Sequence, residues 1–186
     1  MIAGDERETL RELLRARSIR VGDFVLASGA HSTYYIDARL TTMAGSGQLL
    51  IGRRSLAEID AAGWAPESVG GLTLGADPVA YAIAPPPRPA AGRTIDAFTV
   101  RKQAKEHGTG RLIEGNLREG GRALVVEDVI TSGESALRAI RSVEDAGARV
   151  VGVLAVVDRE EGGRARIEAL GHAVIALFTA RELLDA

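Results

Sequence analysis

The stretch from Val150 to Val157 reads VVGVLAVV, an apolar run with no polar alternation. A strand with that pattern has to be covered on both faces, which happens in parallel sheets packed between helices. Similar runs recur at Val69 to Leu72, Ile95 to Val100, Arg122 to Val126 and Ala173 to Phe178. Between them the spacing predicts helices over Pro78 to Ala84, Ser135 to Ala146 and Arg164 to Leu170, with Gly147 and Gly171 stopping the last two. Strand, glycine-containing loop and helix in repeated succession predict an α/β, doubly wound architecture.

Ahead of that repeat, Asp5 to Arg17 sets Leu10, Leu13 and Leu14 among charges, the pattern of an amphipathic helix. Two short extended pieces, Phe24 to Leu26 and Tyr34 to Asp37, flank a polar turn at Ser28 to Ser32 and predict a small hairpin-like elaboration. A helix from about Gly47 to Ala62 ends at Gly63, a suitable left-handed cap. The proline cluster from Ala84 to Pro89 fits neither a helix interior nor a central strand and reads as a stiff surface loop.

With 186 residues, 46% of them hydrophobic, a single domain is the default. Lys and Arg number 23 against 25 acidic residues, a formal charge of -2. No global field would attract nucleic acid or a membrane surface, so any phosphate binding has to be local. The chain has no cysteine, which removes disulfides, thiolate catalysis and cysteine zinc sites and suits a reducing cytoplasm. His31, His107 and His172 are too scattered for a helix-borne metal pair. The first twenty residues are charged and lack the apolar core of a signal peptide, and no later run approaches the ~18 apolar residues that span a bilayer. The expected location is the cytoplasm.

The most informative chemistry lies between Ala123 and Ser135. A buried strand delivers Glu127 and Asp128, and a loop of Val129, Ile130, Thr131, Ser132, Gly133, Glu134 and Ser135 then opens a helix. Backbone N–H groups at a helix N-terminus, with the hydroxyls of Thr131, Ser132 and Ser135, suit a phosphate monoester. The Gly-Lys-Ser/Thr ending of a Walker loop is missing, and no Gly-x-Gly-x-x-Gly turn follows a strand. Carboxylates beside an anion site make sense if the ligand also carries vicinal hydroxyls, because a carboxylate accepts strongly from O–H donors. Phosphate beside a diol describes ribose 5-phosphate. A plain helix cap with incidental acids is the competing reading.

VVEDVITSGES resembles the signature of type I phosphoribosyltransferases. That resemblance implies a central, mainly parallel sheet flanked by helices with a small N-terminal hood. It also implies binding of 5-phosphoribosyl 1-diphosphate through residues 127–135. A second cluster, Arg101-Lys102-Gln103-Ala104-Lys105-Glu106-His107-Gly108, is by itself compatible with a solvated basic loop. It resembles the catalytic loop of orotate phosphoribosyltransferases. Two further stretches resemble that family: Phe24 to Arg39, with Tyr34 and Tyr35, and Asp158 to Gly163, with Arg159. Gly70 to Pro78 resembles its diphosphate-side loop. Many members carry a lysine in the Phe-x-Leu-x-Ser-Gly segment where this chain has Ala27, which leaves one expected substrate contact unfilled.

The resemblance implies transfer of a phosphoribosyl group to orotate in pyrimidine synthesis. Arg101, Lys105, His107 and Asp128 are the expected catalytic residues, Lys102 joins them on the diphosphate donor, and Tyr34, Tyr35, Thr131 and Arg159 are expected on orotate. It further implies Mg2+ carried mainly by the diphosphate and ribose hydroxyls, with no direct protein ligand. A homodimer is implied, in which the 101–110 loop acts on the partner's site. Residues 1–186 then form one phosphoribosyltransferase domain, with about 1–40 and the C-terminal segment contributing to a base-binding hood. A purine transferase sharing the phosphate loop, and a non-catalytic phosphoribosyl-binding regulator, are the rival readings.

Overall fold

The computed structural model describes residues 5–25, 29, 31–85, 94–103 and 112–185. Helix α1 (Glu6–Ser18) starts where the Asp5 carboxylate accepts from the Arg7 backbone N–H at 3.0 Å. Its first turn is acidic and its last turn basic, matching the helix dipole, and it buries Leu10 and Leu14. Strands β1 (Ile19–Val25) and β2 (His31–Ile36) then pair antiparallel as a separate two-stranded sheet. Strand β2 begins at His31, opposite Val25 and three residues ahead of the expected Tyr34.

Helices α2 (Arg39–Thr42) and α3 (Gly45–Ala61) lead into the main sheet. Strand β3 (Ser68–Leu72), helix α4 (Ala76–Ile83), β4 (Asp96–Val100), β5 (Ile113–Gly115) and β6 (Arg122–Ile130) follow. Helix α5 (Glu134–Asp145), β7 (Arg149–Asp158), α6 (Gly163–Glu168), β8 (Val174–Thr179) and α7 (Ala180–Leu184) complete the order. The six-stranded sheet runs β5-β4-β3-β6-β7-β8, parallel except for β5. From central β3 the chain moves outward to β4 and β5, then returns to β3's other side at β6. That reversal is a topological switch point, and the loops after β3 and β6 diverge there to leave a crevice.

Alternation along the strands feeds two cores. Leu124, Val126 and Leu154 pack with Leu10, Ile51, Val79 and Leu183 of the helices on one face. Val125, Val153 and Ala155 pack with Leu137, Ile140, Val143 and Ile167 on the other. The doubly wound expectation therefore holds. Strand β6 runs four residues past the expected end at Val126, because Glu127, Val129 and Ile130 continue the ladder against Ala155, Val157 and Asp158. Short α2, β5 and α7 are additions to the elements expected from sequence, and of these only α7 carries a sequence signal, the capping box of Thr179 and Glu182. Among the described residues no helix is long and apolar enough to cross a membrane.

One close fit secures α3's exit to the sheet. A Cβ built on Gly152 of β7 would lie 2.4 Å from the Trp64 ring. Gly152→Val should therefore cost about 1–3 kcal/mol by overpacking. A lowered thermal midpoint, measured against the wild type by calorimetry, is the expected result.

Candidate active site

Strand β6 carries two acids to the C-terminal edge of the sheet, beside the switch point. Glu127 is only 6% exposed, and Asp128 is half-buried. Burial pushes the Glu127 carboxyl well above its usual range, and the adjacent negative charge of Asp128 adds to the rise. Burial also raises Asp128, opposed by the Val129 backbone N–H, which donates to its carboxylate at 2.9 Å.

A cleft of about 280 Å³ opens over this pair. Its walls are Tyr35 to Arg39 at the end of β2, the β3–α4 loop from Leu72 to Gly75, Lys102, Thr131, Ser135 and Arg159. A smaller hollow of about 70 Å³ adjoins it, lined by Glu127 and residues 129–136. Gly133 caps α5 in a left-handed conformation, φ 78°, which glycine adopts without steric penalty. A Cβ there would also come within 2.8 Å of the Gly163 carbonyl oxygen. The loop is thus formed against a second loop behind it: Arg159 N–H donates to the Ile130 carbonyl at 2.9 Å, and Gly163 N–H to that of Thr131 at 3.1 Å. Arg166 adds a bond to the Ser132 carbonyl at 2.6 Å.

The two switch-point loops touch at one place. A Cβ on Gly75 would sit 2.5 Å from Asp128 Oδ1, so a side chain there would have to displace the acid. The hood side is held by an ion pair: Arg39 Nε and a terminal nitrogen donate to the two Asp37 oxygens at 2.8 and 3.1 Å. That guanidinium holds the Asp37 carboxyl below its usual range.

Of the residues singled out from sequence, Tyr35, Lys102, Glu127, Asp128, Val129, Thr131, Ser135 and Arg159 share the cleft. Ser132, Gly133 and Glu134 line the hollow with them, while Ile130 sends its side chain into the core. Glu134 pairs with Arg166 at 3.4 Å. Tyr34 lies one layer back, its ring 4.8 Å beneath the Arg159 guanidinium. Arg101 opens onto the neighbouring groove, where it faces Glu114 at 3.8 Å. Lys105, His107 and Ala27 lie outside the described residues. Asp37, Arg39 and the 72–75 wall belong to the stretches Phe24 to Arg39 and Gly70 to Pro78 that the sequence marks by resemblance, although none of these residues is singled out there as an individual ligand contact.

Four buried side-chain polar atoms lack a partner among the described residues, and two of them, Glu127 Oε2 and Arg159 Nε, belong to cleft-lining residues. An orphaned acceptor and an orphaned donor in one cleft are each costly unless a ligand satisfies them. The arrangement suits a molecule that offers hydroxyls to the acid, an anionic group to the arginine, and a phosphate to the adjoining hollow.

No protein-family model matches the chain. Orotate phosphoribosyltransferase of Aquifex aeolicus is 46% identical over 182 residues, covering 96% of this chain and 98% of that one. The enzyme of that name from Mycobacterium tuberculosis H37Rv is 51% identical over 170 residues, 91% of this chain and 92% of the relative. A crystal structure of the M. tuberculosis protein in complex with Fe(III) dicitrate superposes with a TM-score of 0.86 at 46% identity, covering 97% and 100% of the two chains. Its complex with 5-phospho-α-D-ribosyl 1-diphosphate gives 0.79 at 42% identity, covering 98% and 93%.

The raised acids make a prediction for the free protein. Above pH ~4 the unfolded chain ionises Glu127, whose ordinary value is 4.5, while the folded chain retains the proton. Stability should fall as pH rises from there through the folded pKa, then level off. Glu127→Gln should flatten that slope in thermal melts taken across pH, and an equal slope in both proteins would refute the assignment.

Proposed function

The chain belongs to the orotate phosphoribosyltransferase family, and on that premise we propose that it transfers the 5-phosphoribosyl group of 5-phosphoribosyl 1-diphosphate to N1 of orotate. The products are orotidine 5'-phosphate and diphosphate, in the synthesis of UMP. The pair of partnerless buried atoms, Glu127 Oε2 and Arg159 Nε, carries this reading. The acid receives ribose hydroxyls and the arginine receives the anionic base. The hollow at residues 129–136 takes the 5-phosphate on backbone N–H groups and the hydroxyls of Thr131, Ser132 and Ser135. Tyr35 and Thr131 complete the orotate side, with Tyr34 orienting Arg159 from beneath.

As the bond from C1 to the diphosphate breaks, the sugar gains positive charge and the leaving group negative charge. Positioned charges lower such a barrier more than a covalent intermediate would. Asp128 faces the cationic sugar, while Arg101, Lys102, Lys105 and His107 neutralise the departing diphosphate. Exclusion of water by the 101–110 loop protects the sugar cation from hydrolysis. Among the described residues no group of three His, Asp or Glu side chains gathers to hold a metal. The hard oxygens of Glu127 and Asp128 fit Mg2+ carried chiefly by substrate oxygens, and the ion supplies charge neutralisation to the leaving group when bound.

We read residues 1–186 as one domain. Its hood joins the first forty or so residues to the C-terminal segment, as the packing of α1 on α7 supports: Arg7 pairs with Glu182 at 2.5 Å and lies over the Phe178 ring at 4.7 Å. The working unit is a homodimer in which the 101–110 loop acts partly in trans, with Lys102 at its start also lining its own chain's cleft. Exposed Leu40, Met43 and Leu74 line a shallow apolar hollow beside Asp37 and Arg39, a surface suited to a second copy. The cysteine-free chain fits a cytoplasmic enzyme without nucleic-acid partners.

Consumption of orotate in the presence of the diphosphate donor, followed spectrophotometrically beside adenine, hypoxanthine and uracil, tests the function. Turnover of orotate alone is expected, and turnover of a purine instead would overturn the assignment. Lys105→Ala should lower kcat by roughly 10²-fold or more, the scale of a lost transition-state charge contact. Asp128→Asn should weaken ribose binding and turnover together. Mixing these two impaired variants should restore activity, since each hybrid dimer holds one intact pairing of loop and acid. Activity that stays at the level of the separate variants would count against action in trans.

A further inference from the structure

Asp77 stands in the first turn of α4 and is absent from the walls of the main cleft. Its two oxygens nevertheless each have a partner in an element that does build the site. Thr73 Oγ1, in the β3–α4 loop, donates to Oδ2 at 2.7 Å. Thr99 Oγ1, on β4, donates to Oδ1 at 2.9 Å. A main-chain bond runs parallel to this bridge: Thr73 N–H donates to the Val100 carbonyl at 2.8 Å. Two residues beyond Val100, the chain delivers Lys102 to the cleft that Leu72 to Gly75 also line.

The geometry points to Asp77 as a positioning residue that sets the spacing between the two walls of the diphosphate subsite, the 72–75 loop and the chain carrying Lys102, through Thr73 and Thr99. This rests on the functional reading above, in which Lys102 neutralises the leaving diphosphate, together with the resemblance of Gly70 to Pro78 to the family's diphosphate-side loop. A carboxylate is well suited to the task. It accepts two hydroxyl donors at once, and such charge-assisted bonds are shorter and stronger than neutral ones. An acid in a helix's first turn also favours the helix dipole. That role alone predicts lost stability with every ligand weakened alike. The positioning role predicts a selective loss.

The two ligands that separate these outcomes are diphosphate and orotidine 5'-phosphate, which share no subsite in this reading. For Asp77→Ala, Asp77→Asn and Thr99→Val, the inhibition constant of diphosphate, the KM for 5-phosphoribosyl 1-diphosphate and the Kd of orotidine 5'-phosphate by calorimetry are measured. Asp77→Ala should weaken diphosphate by about 10-fold, the scale of losing hydrogen bonds to a charged group, and leave orotidine 5'-phosphate unchanged. Thr99→Val should show a smaller loss of the same kind, and the double variant should be no worse than Asp77→Ala, because both changes break one network. If Asp77→Ala does not fold, the same selectivity is expected of Asp77→Asn and Thr99→Val. Unchanged diphosphate binding, or equal weakening of both ligands, would overturn the role of Asp77. A wild-type protein that bound neither ligand and consumed no orotate would instead overturn the functional reading and, with it, this role.

Discussion

Burying two adjacent carboxylates at the end of a strand covered on both faces is unfavourable, and much of the site is organised around that cost. Glu127 loses its hydration and also faces the charge of Asp128, so its proton is held tightly in the free protein. Nothing among the described residues satisfies its outer oxygen. The neighbouring elements offer partial relief only: one N–H to Asp128 and the distant charge of Arg39. In the proposed function, a ligand with hydroxyls and a positive charge on its sugar is what would supply the missing partners.

Topology explains why three loops can converge on that pair. Because the strand order reverses between β3 and β6, the loops that leave these neighbouring strands part company and open a crevice. Gly75 lets one loop reach Asp128, and the contact of Gly133 with Gly163 backs the other loop against the chain that bears Arg159. The base side and the phosphate side therefore share main-chain bonds. A shift of the 158–163 loop would be felt at residues 130–132 through those bonds.

Much of the scaffold is legible in the sequence, for a physical reason. Strands buried on both faces leave continuous apolar runs, as at Val150–Val157, and helices bounded by Gly63, Gly147 or Gly171 announce their ends. What escapes is short or long-range. β5 has three residues and an edge position, so it shows no period, and α2 is a single turn whose place depends on tertiary packing. The extension of β6 through two acids runs against strand propensity and is won by pairing with β7. The local part of the site, from Glu127 to Ser135, is readable because one loop carries it. The wall at 72–75 and the Asp37–Arg39 pair are legible only through the resemblance of their segments, since their distance from Asp128 is decided by the sheet order. Arg101 illustrates the converse: its motif marks it as a site residue, while its side chain in the free protein turns toward Glu114.

The chain leaves the sheet at Arg101 and rejoins it at Leu112, where the Arg101 N–H donates to the Leu112 carbonyl at 2.8 Å, continuous with the pairing of β4 and β5. Those two ends are thus fastened to each other at the edge of the sheet. The entropy of bringing the ends together is a cost of folding and not of each catalytic cycle. Changes of length or composition between those ends then leave the sheet's own stability largely untouched, since the closure is already made by the strands.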